Sequence, residues 1–529
     1  MRDTTTRAIA TGERRARAID APEPAMRVPL TASHRQNHVD WLIDNAESYG
    51  RLLESLHRAE RSVRIAQLAF DADCAAYVGG SLTGSAANDE VIADILIALV
   101  RDRGAKIQIL LNATWILNTA RPLRKFFAAR GMSPAQVEVR GLSRFPHFMH
   151  AKLVLIDGRE AFLLGSPFVN SYWDDGSHMP FDARRPLREL GGRPLHDVST
   201  QLRGPVVRDL ESMFGCVWTS SGGEPPIAAP AAPSTARASA VRVVCDAPDG
   251  ILPNVPDRAM QMLGELLTAI ARARAFIYIE HQYLTSRPLV AALTAALRRE
   301  PALEVIIVLN QNPDLTAYRG WQNAQLRAHA LLAHPRVGVF ALWSIDAHPA
   351  RAGVTRINQL FIHSKVIVVD DDWAAVGTSN LDGVSMGDYG DDFAGSLGRR
   401  VFDGVRNVEV NIVIDAAEAP EEAASIIELR ERLWHEHLGV PREALSVRPH
   451  GGWLPVWREA ARENARMLAF SEGDAPAMVG HLLLYSVCAY PRQQLADIGV
   501  TLDSDRLALC YTPTWFGVHL SLHWIRNIF

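Results

Sequence analysis

Two short segments of the 529-residue chain carry one pattern: HAKLVLID at His150–Asp157 and HSKVIVVD at His363–Asp370, 213 residues apart. Whole stretches recur around them in the same order. AERSVRIAQLAFDAD follows the helix-like segment Trp41–Arg58, and ARARAFIYIEHQYL follows the amphipathic Arg258–Ala271. Apolar strands then come at Lys106–Asn112 and Glu304–Asn310, followed by the two motifs, followed by Leu163–Ser166 and Val376–Asn380. A repeat at a fixed offset requires two similar structural units. Strands alternating with helical segments make each an α/β sandwich. The expected architecture is α/β: duplicated α/β/α sandwich halves with mixed sheets and one active site at the pseudo-two-fold interface.

The shared pattern is H-x-K-x-x-x-x-D. In a strand, residues i and i+2 share a face, so His150 and Lys152 point together, as do His363 and Lys365. The intervening LVLI and VIVV read as buried strand. A single such motif reads equally well as a satisfied core histidine beside a lysine stretched along apolar surface. Two copies at matched positions of a repeat do not. The lysines sharpen the point, because only four of the 55 basic residues are lysine: Lys106, Lys125, Lys152 and Lys365. Arginine bias accounts for the average. A compact, titratable ammonium still does what a guanidinium cannot. Lys106 and Lys125 have no such context and read as surface residues.

The remaining composition bounds the problem. Apolar residues make up 48% and charged residues 22%, with a formal net charge of −4, as in ordinary globular proteins. The Pro/Ala/Ser-rich stretch Thr219–Ala240 is linker chemistry. It gives a mobile arm at 1–36, a first half at 37–218, a linker at 219–240, a second half at 241–440 and an extension at 441–529. The five cysteines, Cys74, Cys216, Cys245, Cys488 and Cys510, show no metal-ligand spacing and read as reduced, buried thiols. The Arg-rich N-terminal segment has no apolar core of a signal peptide. Val91–Val100 is too short to span a bilayer, and Leu507–Ile525 is interrupted by Pro513, Gly517, His519 and His523. The expectation is a cytoplasmic or peripherally membrane-bound protein with no signal peptide; export by a signal-less route stays open.

With VGTSN after the second motif, the pair resembles the phospholipase D superfamily. IYIEHQYL at Ile277–Leu284, AFLLGSPFVNSYWDD, PLHDVSTQLRGPVVRDLESMFGCVW, NVEVNIVI at Asn407–Ile414 and LWHEHLG resemble phospholipase D proper. The likeness covers about residues 45–440. It implies a phosphodiester reaction through a phosphohistidine, with His150 as nucleophile and His363 as acid and base; the quasi-symmetry allows the reverse order. Lys152 and Lys365 would bind phosphoryl oxygens, helped by Thr378 and Asn380. A reacting imidazole needs its other nitrogen held by an acceptor, and Asp197 and Glu409 stand at equivalent places after the motifs. Asp157 and Asp370 end the motif strands and are expected to brace loops. One departure concerns the first copy, which has Leu164-Gly165 where the second has Gly377-Thr378, and Pro167 where the second has Asn380. Ser166 or Asn170 could substitute as donor. A second is His281, where related enzymes often carry Asn.

Other signals carry less. Asp388, Asp391 and Asp392, with Asp174 and Asp175, read as turn formers rather than a cation site, so no metal and no cofactor is assigned. His435 and His437 read as helix-end capping or packing, and Glu280 as either pocket lining or a satisfied buried carboxylate. VHLSLHW, from Val518, alternates like a half-buried strand and could be an interfacial element. The expected partner is a glycerophospholipid at a membrane surface, bound by a monomer. An acidic chain argues against nucleic acid as substrate. Cardiolipin or phosphatidylserine synthesis, a nuclease of the same chemistry, and a lipid-binding protein with a decayed site are the competing functions.

Overall fold

A computed structural model describes residues 34–77, 89–115, 117–186, 190–226, 239–252, 260–387, 404–417, 420–470 and 476–510. Its spine is two seven-stranded mixed sheets with the same strand order. The first runs Val137–Leu142, Lys106–Asn112, Ser62–Ala66, Leu153–Ile156, Glu160–Leu163, Val198–Arg203 and His34–Ile43. The second runs Val337–Ala347, Glu304–Leu309, Phe276–His281, Lys365–Val369, Trp373–Gly377, Asn407–Asp415 and Ser239–Asp246. In each, the first three strands are parallel and the remaining four antiparallel. The end strands of the two sheets also pair, His34 with Val241 and Asn37 with Ser239, so one continuous sheet runs through both halves.

Layering follows from the apolar patterns. The motif strands, LVLI and KVIVV, are buried throughout, as central strands covered on both faces must be. One core lies between the sheets and draws on both halves: Trp41, Leu163, Val198, Leu210 and Phe214 meet Val243, Tyr278, Val366, Val410 and Trp434. The helices Val206–Ser220 and Ala423–Leu438 contribute to it. Two further cores cover the outer faces. Each half is therefore an α/β/α sandwich, the class the repeat implied.

Several boundaries differ from the sequence reading. Trp41–Ile43 belongs to a strand, and the helix begins only at Asp44, because Trp41 enters the inter-sheet core. That strand begins at His34, inside the expected arm. The helix before the linker continues to Ser220, and strand resumes at Ser239. Beyond residue 440, the helix Leu454–Phe470 and the strand Leu482–Leu484 pack on the second sheet, the strand pairing with Phe340–Leu342. VHLSLHW lies outside the described residues. No described helix is long and apolar enough to cross a membrane.

Candidate active site

The approach to each motif is a two-residue strand, and each pairs across the halves. Phe148–Met149, just before His150, runs parallel to Asn407–Val408, just before Glu409. Phe361–Ile362, just before His363, runs parallel to Leu195–His196, just before Asp197. The His150 and Ala151 N–H groups donate to the Val408 carbonyl at 3.1 and 2.7 Å, and the His363 N–H donates to that of His196 at 2.8 Å. The carboxylates are thereby exchanged: His150 Nδ1 lies 2.9 Å from Glu409 Oε2, and His363 Nδ1 lies 2.8 Å from Asp197 Oδ2. A carboxylate on Nδ1 favours the tautomer that leaves Nε2 with its lone pair.

Both carboxylates are fully buried and accept further hydrogen bonds. Glu409 accepts from the Thr378 hydroxyl at 2.6 Å, the Ser385 hydroxyl at 2.7 Å and Asn407 Nδ2 at 3.0 Å. Asp197 accepts from the Ser166 hydroxyl and from the Val198 N–H at 2.9 Å. Gly165 sits so close that a Cβ there would fall 1.9 Å from Asp197 Oδ1. Ser166 thus serves Asp197 as Thr378 serves Glu409, one residue out of register. Both hydroxyls are directed at carboxylates, so the expectation that they bind phosphate is revised. Asn170 is no substitute donor: its Oδ1 accepts from the Ala75 N–H and its Nδ2 donates to the Asp73 carbonyl. Asn380 is buried, and its amide Oδ1, an acceptor, has no hydrogen-bond partner.

Both lysines are buried. Lys152 Nζ donates to the His150 carbonyl at 2.8 Å; Lys365 Nζ donates to that of His363 and, at 3.3 Å, to Gln282 Oε1. Burial, with the field of Lys365, lowers Lys152 to about 7, and burial lowers Lys365 to about 8 despite nearby carboxylates. Burial also lowers His150, and burial with Lys365 lowers His363 to about 3, so both imidazoles are neutral at neutral pH. Burial alone would raise Asp197 and Glu409, but His363, Lys365 and the Ser166 hydroxyl together hold Asp197 low, as His150, Lys152 and the Thr378 hydroxyl hold Glu409. The lysine of each half reaches the histidine of the other electrostatically, which places all four in one site. Two neutral imidazoles with free Nε2 atoms and two polarised ammonium groups suit attack on, and protonation around, an anionic diester.

Asp157 and Asp370 stand at the far ends of the motif strands. Each occupies a hairpin turn with left-handed backbone, φ 54° and 55°. Asp157 accepts the N–H groups of Glu60, Arg61 and Ser62, each at 2.8 Å; Asp370 accepts those of Arg274, Ala275 and Phe276 at 2.6 to 2.8 Å. They tie each motif hairpin to the neighbouring strand. Lys106 and Lys125 are exposed. His281 is buried beside Lys365 in the adjacent strand. Glu280 is a satisfied carboxylate, bonded to the Tyr278 and Ser364 hydroxyls and, at 2.7 Å, to His437 Nε2. His435 Nδ1 bonds to the Val440 carbonyl, 2.6 Å away and beyond the end of its helix. Asp175 is paired with Arg184 at 3.0 Å, and Asp388, Asp391 and Asp392 lie outside the described residues. Among the described residues all five cysteines are free thiols; three are buried, Cys488 is half-buried and Cys510 is exposed.

Two positioning residues escaped the sequence reading. Asn112 holds Met149 by its N–H (2.8 Å) and carbonyl (3.0 Å), and Asn310 holds Ile362 the same way at 2.9 and 2.7 Å. Each amide therefore fixes the backbone just before a motif histidine. Their signal was the Asn ending both KIQILLN and EVIIVLN.

The profile of the family described as "Cardiolipin synthase, PLD-like domain" matches residues 52–170 and 266–434, more than half the chain. The chain belongs to that family, within the phospholipase D superfamily of phosphodiesterases and phosphatidyltransferases. It is 24% identical over 368 residues to cardiolipin synthase A of Pseudomonas syringae pv. syringae, covering 66% of this chain and 63% of the relative. It is 22% identical over 449 residues to phospholipase D alpha 1 of Zea mays, covering 66% and 52%. The chain thus spans between about half and two thirds of the length of these relatives. A phosphatidylserine synthase of Haemophilus influenzae superposes with a TM-score of 0.45 at 10% identity, covering 75% of this chain and 88% of that one.

Proposed function

We propose that the chain is a phospholipase D-type phosphodiesterase that cleaves glycerophospholipids to phosphatidic acid and head-group alcohol, or passes the phosphatidyl group to another alcohol. The observation that carries this reading is the crossed pairing of two neutral histidines with carboxylates, beside two buried lysines. His150, the more open of the two at 11% side-chain exposure against 4%, attacks phosphorus through Nε2. The P–O bond to the head group breaks as that alkoxide takes a proton from His363 Nε2. His363 then takes a proton from water or an alcohol, whose oxygen attacks phosphorus and breaks the P–N bond. For the first step His363 must be protonated, and the bound diester supplies the means. Its negative charge offsets the two ammonium groups that, with burial, depress the imidazole.

The 24% likeness to a cardiolipin synthase favours, as a second reading, a lipid alcohol as acceptor in place of water. Vesicles of phosphatidylcholine, phosphatidylethanolamine and phosphatidylglycerol, incubated with ethanol, separate the cases. Phosphatidic acid and phosphatidylethanol are expected from the first reading, cardiolipin from the second. His150→Ala and His363→Ala should each lower turnover by about 10⁴-fold or more, the scale of losing a nucleophile or its acid–base partner. Turnover surviving in both variants overturns the two-histidine mechanism, and cleavage of DNA without lipid overturns the substrate class.

A further inference from the structure

Beside Asp197, and apart from the reacting groups, lies a second buried cluster that the mechanism does not use. Asp44, His178, His196 and Glu436 come from four places: a strand–helix junction, the loop after the first motif, the short strand at Leu195–His196 and the helix Ala423–Leu438. One atom from each lies within 4.8 Å of all the others. Glu436 presents one oxygen to both imidazoles, and Asp44 presents one oxygen to each. His196 Nδ1 is 2.8 Å from Glu436 Oε1 and 3.1 Å from Asp44 Oδ1; His178 Nε2 is 3.2 Å from Glu436 Oε1 and 3.3 Å from Asp44 Oδ2. A tetrahedral ion with bonds of about 2.0 Å has ligand–ligand edges of about 3.3 Å.

Three further observations point the same way. The His196 ring is completely buried, and its nitrogens lie 2.8 to 3.1 Å from carboxylate oxygens, yet neither is aligned with any of them for a hydrogen bond. Proximity without alignment is poor hydrogen bonding and good ligation around a shared ion. His178 also turns its other nitrogen toward an outer carboxylate, Nδ1 lying 3.1 Å from Asp174 Oδ2. Such carboxylates orient metal-bound histidines. Asp44 and His178, finally, both adopt left-handed backbone, φ 61° and 44°, which non-glycine residues take at a cost and which the surroundings must enforce.

We infer that Asp44, His178, His196 and Glu436 hold a first-row divalent cation, of which zinc best suits two imidazole nitrogens and two carboxylate oxygens. The ion compensates the charge of three buried carboxylates, Asp44, Asp174 and Glu280, and of the half-buried Glu436, against which Arg185 supplies one guanidinium, bonded to Asp174. A surface pocket of about 590 Å³, lined in part by Asp44, Glu436 and His481, gives the ion a way in. The site is structural, since all four ligand positions are protein side chains. It clamps the second-half helix to the segment carrying Asp197, whose N–H and carbonyl both bond to Asp44.

The test is metal content, independent of whether lipid is turned over. The full chain, purified from zinc-supplemented medium and dialysed, should carry one equivalent of zinc by mass spectrometry. After chelation its melting temperature should fall, and cobalt(II) should restore it with the visible bands of a four-coordinate nitrogen–oxygen site. A His178→Asn/Glu436→Gln variant should lose the tight equivalent. Wild-type protein without zinc, and with no cobalt spectrum, overturns the inference and leaves a network of charged histidines and carboxylates. Undiminished zinc in the folded variant overturns it as well, and if the variant does not fold, the cobalt titration of the wild type decides.

Discussion

The two halves share a strand order down to the register of the motif hairpin: Leu153 faces Leu163 as Val366 faces Val376. They differ in what surrounds the carboxylate each lends to the other. Glu409 is held by three neutral side-chain donors, and the residue before it is Val408, fully buried and apolar. Asp197 has one hydroxyl and one N–H, and the residue before it is His196, set among Asp44, Glu280 and Glu436. The duplicated backbone thus supports two solutions to one problem. In the second half a carboxylate is positioned by its own hydrogen bonds; in the first, the strand that carries it is positioned by a charged cluster behind it. Symmetry of fold does not enforce symmetry of support.

The largest test of that contrast exchanges charge for amide. Asp197→Asn should lower kcat by roughly 10³-fold and Glu409→Gln by a similar factor, as removal of a histidine-orienting carboxylate does. The crossed pairing adds a readout that general damage would not produce. In nitrogen-15 spectra of the imidazoles, Asp197→Asn should change the tautomer of His363 alone and Glu409→Gln that of His150 alone. A change in the same-half histidine breaks the comparison.

A smaller effect is expected with pH. The Lys152 and Lys365 ammonium groups, at about 7 and about 8, are charged below those values and lost as pH rises through them. In the free enzyme this weakens capture of an anionic substrate, so kcat/KM should fall above about pH 7 to 8, tenfold per unit at the steepest for one group. A flat profile to pH 10 would show the lysines to be ordinary.

The smallest effect concerns the turn aspartates, where the halves are most alike. Asp157→Ala and Asp370→Ala each remove a carboxylate from three N–H groups, at a cost of roughly 2 kcal/mol each. The melting temperature should fall by a few degrees with kcat preserved. A large loss of kcat at either position would move that residue into the chemistry.

How much of this could be read from the chain is uneven for a physical reason. His150, Lys152, His363 and Lys365 stood out because two periodicities coincided, the two-residue strand repeat and the long internal one. Asp197 and Glu409 were legible as equivalent positions. Their exchange was not, since it depends on pairing between two-residue strands far apart in the chain, the partners being 166 and 259 residues from their histidines. The start of the first helix was misjudged at Trp41, where burial between the sheets overrode local pattern. His178, His196 and Glu436 were invisible as a group, because no two stand at ligand spacing and each alone reads as a core or surface residue. Asn112 and Asn310 were in plain view at the ends of matching strands, but an Asn closing an apolar run reads first as a turn.

The exchange of carboxylates has a consequence for the chain while it is being made. When the first half emerges from the ribosome it carries His150 without Glu409, and Asp197 without His363. His150 cannot be set in its working tautomer until the strand at Asn407–Asp415 has docked across the middle of the molecule, whereas His363 meets Asp197 once Phe361–Ile362 pairs with Leu195–His196. A chain terminated before Asn407 therefore holds His150 with no carboxylate to orient it.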